Sequence, residues 1–262
     1  MSVRPIVFMT DYGLVDEFVG VCHGVIARIT PEAHVIDLTH AVERQNVGQG
    51  AATLARAARY MPTRTVYLAV VDPGVGSARH AIAVETATGA HLVGPDNGLL
   101  SLAWGALGGA DSAVEITSDD VLIQPLSRTF HGRDVFAPAA ARLAAGTPLA
   151  DLGPGVSAEA LTRISFPKPS VEHGRIECAV TWIDTFGNVQ LNLRPADLEA
   201  AGIGSAFSVG DQFFRVAGTF AEVAEGEGVA VEDSQGFVAL AINLGSAAHV
   251  LTVGEGDAIV LS

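Results

Sequence analysis

Five stretches of this chain set acidic, basic or aromatic residues beside tight turns, the arrangement that small-molecule chemistry needs. The first is Thr10-Asp11-Tyr12-Gly13, which follows the apolar run 6–9 and precedes a helical pattern expected to carry Asp16. Ligands of open α/β sheets bind at the carboxyl ends of strands, and an Asp there can accept both hydrogens of a ribose diol. Asp is equally a good turn and helix-capping residue. The second is Asp72-Pro73-Gly74-Val75-Gly76-Ser77-Ala78-Arg79, again after an expected strand. Its proline and glycines make a rigid turn whose backbone can approach a ligand closely. The G-x-G lacks the third glycine of a dinucleotide loop, which disfavours a nicotinamide oxidoreductase. On its own, an Asp-Arg pair also reads as a structural salt bridge.

The third stretch, Arg128-Thr-Phe-His131-Gly-Arg-Asp134, could present an imidazole to a ligand, although a loop histidine is more often inert. The fourth, Trp182-Ile-Asp184-Thr-Phe186-Gly-Asn188, offers a ring that could stack on a purine and an amide that could bond its edge. It is also good turn chemistry. The fifth joins Glu232-Asp-Ser234-Gln-Gly236 to Ile242-Asn-Leu244-Gly-Ser246, and both halves fit plain β-turns. The eight histidines show no H-E-x-x-H, H-x-H or Cys/His spacing, so no metal is expected, and no Walker loop or G-x-S-x-G elbow is present.

The elements that must position these residues change character along the chain. In the first part, short β-branched runs at 6–9, 34–38 and 65–71 alternate with helical patterns through Phe18, Cys22, Val25 and Ile26, then 50–60, and finally 135–145. A pair at 81–85 and 91–94 is joined across Thr88-Gly89. Together these predict an α/β domain over 1–165 with a mostly parallel sheet covered by helices on both sides. The proline-bearing stretch 166–170 is expected to be a linker. Beyond it, runs at 175–183, 189–193, 206–209, 212–216, 228–232, 237–242 and 258–261 predict a small all-β domain over 171–262, a barrel or sandwich, with one helix at 195–201.

The whole chain narrows the partners. Its 262 residues are 49% hydrophobic, enough for packed cores, and the net charge of -14 opposes binding to nucleic acid. Cys22 and Cys178 lie in apolar stretches and read as buried free thiols. The chain shows neither a leader segment nor a membrane-length apolar run, so a cytoplasmic protein with no membrane partner is expected.

Taken in order, F-M-T-D-Y-G, V-V-D-P-G-V-G-S-x-R, G-P-D-N-G, T-F-H-G-R-D, D-T-F-G-N and E-D-S-x-G run from Phe8 to about Gly245. This set resembles the S-adenosyl-L-methionine (SAM) hydroxide adenosyltransferase family, whose halide-using relatives are fluorinases and chlorinases. The resemblance implies a hydrolase that uses SAM as substrate, needs no cofactor, and forms a homotrimer with active sites at subunit interfaces. It also implies that Asp72, Arg79 and His131 handle the water and that Asp11 holds the ribose. Asp16, Asp184 and Ser234 would surround the methionine portion, and Phe186, Asn188, Phe220, Ile242 and Leu244 would form the adenine pocket. Two departures from fluorinase, Gln45 for a tryptophan and Asp72 for a tyrosine, argue for water, because a carboxylate raises the cost of burying a halide. A SAM-dependent halide transferase and a SAM-binding protein without chemistry are the alternatives.

Overall fold

Ile-Val-Phe-Met-Thr and Val-Tyr-Leu-Ala-Val are buried at every position, as strands covered on both faces must be. They are β1 (Ile6–Thr10) and β3 (Val66–Val70) of a computed structural model that describes residues 2–262. The chain divides into two units, Met1–Ile164 and Ser165–Ser262.

In the first unit, β2 (Val35–Thr39), β1, β3 and β5 (His91–Pro95) are parallel neighbours. The sheet continues with antiparallel pairings through β4 (Ala81–Thr86), β6 (Ala110–Glu115) and β7 (Gly155–Val156). The expected parallel character is therefore confined to one half of a mixed sheet. Alternation along β1 sends Ile6 and Phe8 to one face and Val7 and Met9 to the other. Helices α1 (Phe18–Ile29) and α4 (Ala137–Ala145) cover the first face through residues such as Cys22, Ile26 and Leu143. The second face is covered by α2 (Val47–Ala58) and α3 (Ser101–Ala106), through Leu54 and Trp104.

Local chemistry sets the helix ends. Asn46 accepts from the Gln49 amide at 2.9 Å, so α2 begins before residue 50, where periodicity placed it. Asp16 lies in the exposed loop before α1 and not on the helix, whose first residue is Phe18. The helix expected from residue 135 opens as a π turn, Gly132–Phe136, and continues as α4. Pro138 is accommodated in the first turn of α4, and Gly146 closes it in the left-handed region.

The second unit is a closed barrel. Its order is β10 (Val189–Leu191), β14 (Val238–Ile242), β13 (Gly228–Glu232), β12 (Gln212–Val216), β11 (Ala206–Val209), β15 (Ala258–Leu261) and β9 (Arg175–Ile183), with β9 pairing back onto β10. The short β8 (Ser170–Glu172) lies outside β9, so Ser170 belongs to a strand. Two short helices, α5 (Pro195–Ala200) and α6 (Ala247–Leu251), complete the unit. Closure removes the sheet edges that such short strands would otherwise expose. Among the described residues no helix is long and apolar enough to cross a membrane.

Candidate active site

The turn that leaves β3 folds back on itself. The Val75 amide donates to the Asp72 carbonyl at 3.2 Å, and the Ser77 hydroxyl donates to the Gly74 carbonyl at 2.7 Å while accepting from the Arg79 amide at 3.3 Å. Asn97, from the G-P-D-N-G stretch, donates to the Val71 carbonyl at 2.9 Å and fixes the strand end. Arg79 is thereby returned onto Asp72. Its Nε lies 3.0 and 3.2 Å from the two carboxylate oxygens, and its Nη2 also donates to Oδ2. These side chains are only 10% and 6% exposed, so water screens the pair weakly. The guanidinium also lies 5.1 Å from the centre of the Phe136 ring, a cation–π contact.

His131 completes the network, with Nδ1 2.8 Å from Arg79 Nη2. Guanidinium only donates, so Nδ1 accepts and the proton of the neutral imidazole resides on Nε2. Burial first, and then the Arg79 charge, hold His131 below the ordinary imidazole range, outweighing the opposite pull of Asp72 and Asp134. The loop that presents His131 is anchored by the fully buried Asp134, which accepts from the Ser127 amide at 2.9 Å and from Arg133 at 2.6 and 2.8 Å. Tyr12 packs against the π turn so closely that a Cβ on Gly132 would lie 2.3 Å from its hydroxyl oxygen. Edge contacts among Tyr12, Phe18 and Phe130 hold that junction, and burial raises the Tyr12 phenol above its ordinary range.

Asp11 follows β1 and accepts from the Gln45 amide at 2.9 Å, with Gln45 itself in the left-handed region at φ 65°. A carboxylate has about four acceptor positions, so Asp11 keeps capacity for a diol. Asp16 stays in the exposed loop, and no hydrogen bond among the described residues joins it to Asp72, Arg79 or His131.

In the barrel, the Asp184 carboxylate is taken up by its own turn. It accepts from the Phe186 and Asn188 amides at 2.9 Å each and from Asn188 Nδ2 at 2.8 Å. The turn reading of D-T-F-G-N is realised, and it leaves the Phe186 ring 76% exposed. Gly187, at φ 81°, seats this turn on Ser246, whose Oγ would lie 2.1 Å from an added Cβ. Ser246 caps α6, and the Ala248 amide donates to the Gly187 carbonyl at 3.0 Å. Ile242 and Leu244 precede that cap, Leu244 at φ 58° and 82% exposed. Asn243 Nδ2 donates to the Val223 carbonyl at 2.8 Å and draws in the short turn Phe220–Glu222. Phe186, Asn188, Ile242 and Leu244 therefore gather at one end of the barrel, and Phe220 lies on the crossover from β12 that reaches this end at Val223. Ser234 does not join them. Val189 pairs with Leu240, which places Asn188 at the Ile242 end of β14, whereas Ser234 precedes the other end in a turn braced by Asp233.

Sequence reading missed Tyr12, Asn97, Phe136 and Asp134 as supports of the network. Tyr12, Asn97 and Asp134 lie inside quoted motifs, and the signal was a polar or aromatic residue next to glycine for Tyr12 and Asn97 and two residues after one for Asp134. Phe136 carried none.

The comparisons agree over both units. The SAM hydroxide adenosyltransferase N-terminal domain matches residues 6–153, and the C-terminal domain of the same family matches residues 178–260. A (R)-S-adenosyl-L-methionine hydrolase of Salinispora tropica is 50% identical over 98% of this chain and 97% of its own. A fluorinase of Actinopolyspora mzabensis is 30% identical over 98% and 96%. The crystal structure of an uncharacterized conserved protein from Thermotoga maritima superposes with a TM-score of 0.90 at 39% identity, covering 98% of this chain and 99% of that one. With both family domains matched in order over an α/β unit and a barrel, the chain belongs to the SAM hydroxide adenosyltransferase family.

Proposed function

We propose that this chain cleaves the C5′–sulfur bond of SAM with water, giving adenosine and L-methionine, and that the joined Asp72–Arg79–His131 network carries out the attack. The single observation behind this assignment is that network. The sulfonium leaves as a neutral thioether and needs no proton, so the site has to supply only a placed and activated water. Arg79 occupies the lone pair of His131 Nδ1, so the neutral imidazole has no free acceptor. His131 therefore orients the water by donating from Nε2. Asp72, which keeps acceptor positions beyond those bonded to Arg79, takes the proton. The oxygen–C5′ bond forms as the C5′–sulfur bond breaks, and that bond's electron pair stays on sulfur.

A buried carboxylate at this position opposes a halide, which is the physical ground for water over the fluorinase reaction. Asp11 holds the ribose hydroxyls. Phe186, Asn188, Phe220, Ile242 and Leu244 receive adenine, with Asp184 fixing the Phe186–Asn188 turn. Asp16, Asp184 and Ser234 serve the methionine portion. The family resemblance supports a homotrimer with active sites at subunit interfaces, and two buried free thiols fit a reducing cytoplasm.

Arg79→Ala tests the assignment. Turnover of SAM should fall by about 100-fold or more, while adenosine affinity, measured by calorimetry, stays within a few-fold. Turnover close to wild type would remove the network from the reaction.

A further inference from the structure

A second cluster of chemically capable side chains lies on α1 and the end of β2. His23 Nε2 is 2.8 Å from Asp37 Oδ1, and His40 Nε2 is 3.1 Å from the same oxygen. One ligand atom from each residue lies within 4.8 Å of the others. The His40 side chain is 3% exposed, and its Nε2 has no hydrogen-bond partner because the approach to Asp37 is out of line. His40 Nδ1 lies 2.9 Å from the Thr10 hydroxyl, and that hydroxyl accepts from the Tyr12 amide at 3.1 Å and has a second lone pair for an Nδ1–H. With that proton on Nδ1, the Nε2 lone pair is open to a cation placed between it and Asp37. The Phe8 ring, 5.7 Å from His23 and 4.8 Å from His40 between ring centres, packs edge-on against both imidazoles.

We propose that His23, Asp37 and His40 bind one divalent transition-metal ion of the zinc class. Two imidazoles and a carboxylate suit such an ion, and donors bound at about 2.0–2.2 Å stand about 3.3–4 Å apart, so the 2.8 and 3.1 Å separations from Asp37 Oδ1 would open by about half an ångström on binding. By accepting from His40 Nδ1–H, Thr10 would supply the outer-shell bond that fixes a ligating tautomer. His23 and Asp37 are partly exposed, which gives the ion access and leaves a position for water. The His40 carbonyl accepts from the Gly13 amide at 2.7 Å, so the ion would brace the Thr10–Gly13 turn that carries Asp11.

Chelator-treated full-length protein titrated with Co²⁺ alone should develop a visible d–d band that saturates at about one equivalent and is displaced by Zn²⁺. His23→Gln, a change at a partly exposed helix position, should keep the wild-type circular dichroism and weaken Co²⁺ binding by at least about tenfold, since even outer-shell losses reach that size. Asp37→Asn should do the same. A featureless titration, or an unchanged affinity in a folded His23→Gln protein, would overturn the proposal.

Discussion

Arg79 faces two partners of different kinds, and they predict different phenotypes. Removing the guanidinium leaves Asp72 buried and unpaired, a loss of about 3–5 kcal/mol in stability by the general cost of breaking buried pairs. His131→Ala removes no charge from that pair, so it should slow SAM turnover by about 100-fold or more while lowering Tm far less than Arg79→Ala. Equal losses of Tm in the two variants, read by calorimetry, would contradict this division. The network also sets a pH dependence. His131 is held below the ordinary imidazole value of about 6.5, so the accepting Nδ1 is retained down to that pH and lost below it. The turnover rate should be flat near neutrality and fall only on the acid side of about pH 6.5, and a fall centred above 7 would contradict the contact. His91 adds a matching stability effect: burial, then Arg4 and Arg64, push it down to about 4. Its contribution is complete above about pH 6.5, the unfolded value, and is lost as pH falls toward 4. Asp72, Arg79 and His131 were legible as a set only through their ordered motifs, because each alone reads more readily as a structural salt bridge or an inert loop histidine. The His23–Asp37–His40 cluster was not legible. Its members come from a helix and a strand end 14 residues apart, a pattern that no linear metal signature contains.

At the level of elements, the π turn and the Asp184–Asn188 turn are each held by a glycine with no room for a side chain. Gly132→Ala drives a methyl against the Tyr12 hydroxyl and should cost stability and turnover together, with Tm lower by several degrees. Gly187→Ala meets Ser246 in a left-handed conformation and should weaken adenosine binding through the displaced Phe186 and Asn188, leaving the Asp72–Arg79 pair intact. An alanine variant with wild-type Tm and affinity would show that the contact is not tight. The barrel strands were read well because hydrophobic alternation and turn residues coincide there. Runs at 175–183, 206–209, 212–216, 228–232 and 258–261 match β9, β11, β12, β13 and β15. The first unit was read less well. Ala110–Glu115 carries exposed Asp111 and Ser112 and has little strand pattern, yet its ladder to β4 makes it a strand. The start of α1 was misplaced because Glu17 makes no capping bond that composition could reveal.

The molecule as a whole combines an acidic surface with a family whose members act on a sulfonium, and the net charge of -14 mildly favours a cationic ligand. The proposed homotrimer predicts a mass in light scattering three times that of the 27.0 kDa chain, and a monomer that turns over SAM at full rate would remove the interface from the account. The central claim is tested most directly by incubating the pure protein with SAM, using the two sulfonium configurations separately because the Salinispora tropica relative's name specifies (R), and separating the products by chromatography. The account predicts equimolar adenosine and L-methionine, unchanged in concentrated chloride or fluoride. Intact SAM in both configurations, or a 5′-halo-adenosine in place of adenosine, would contradict it.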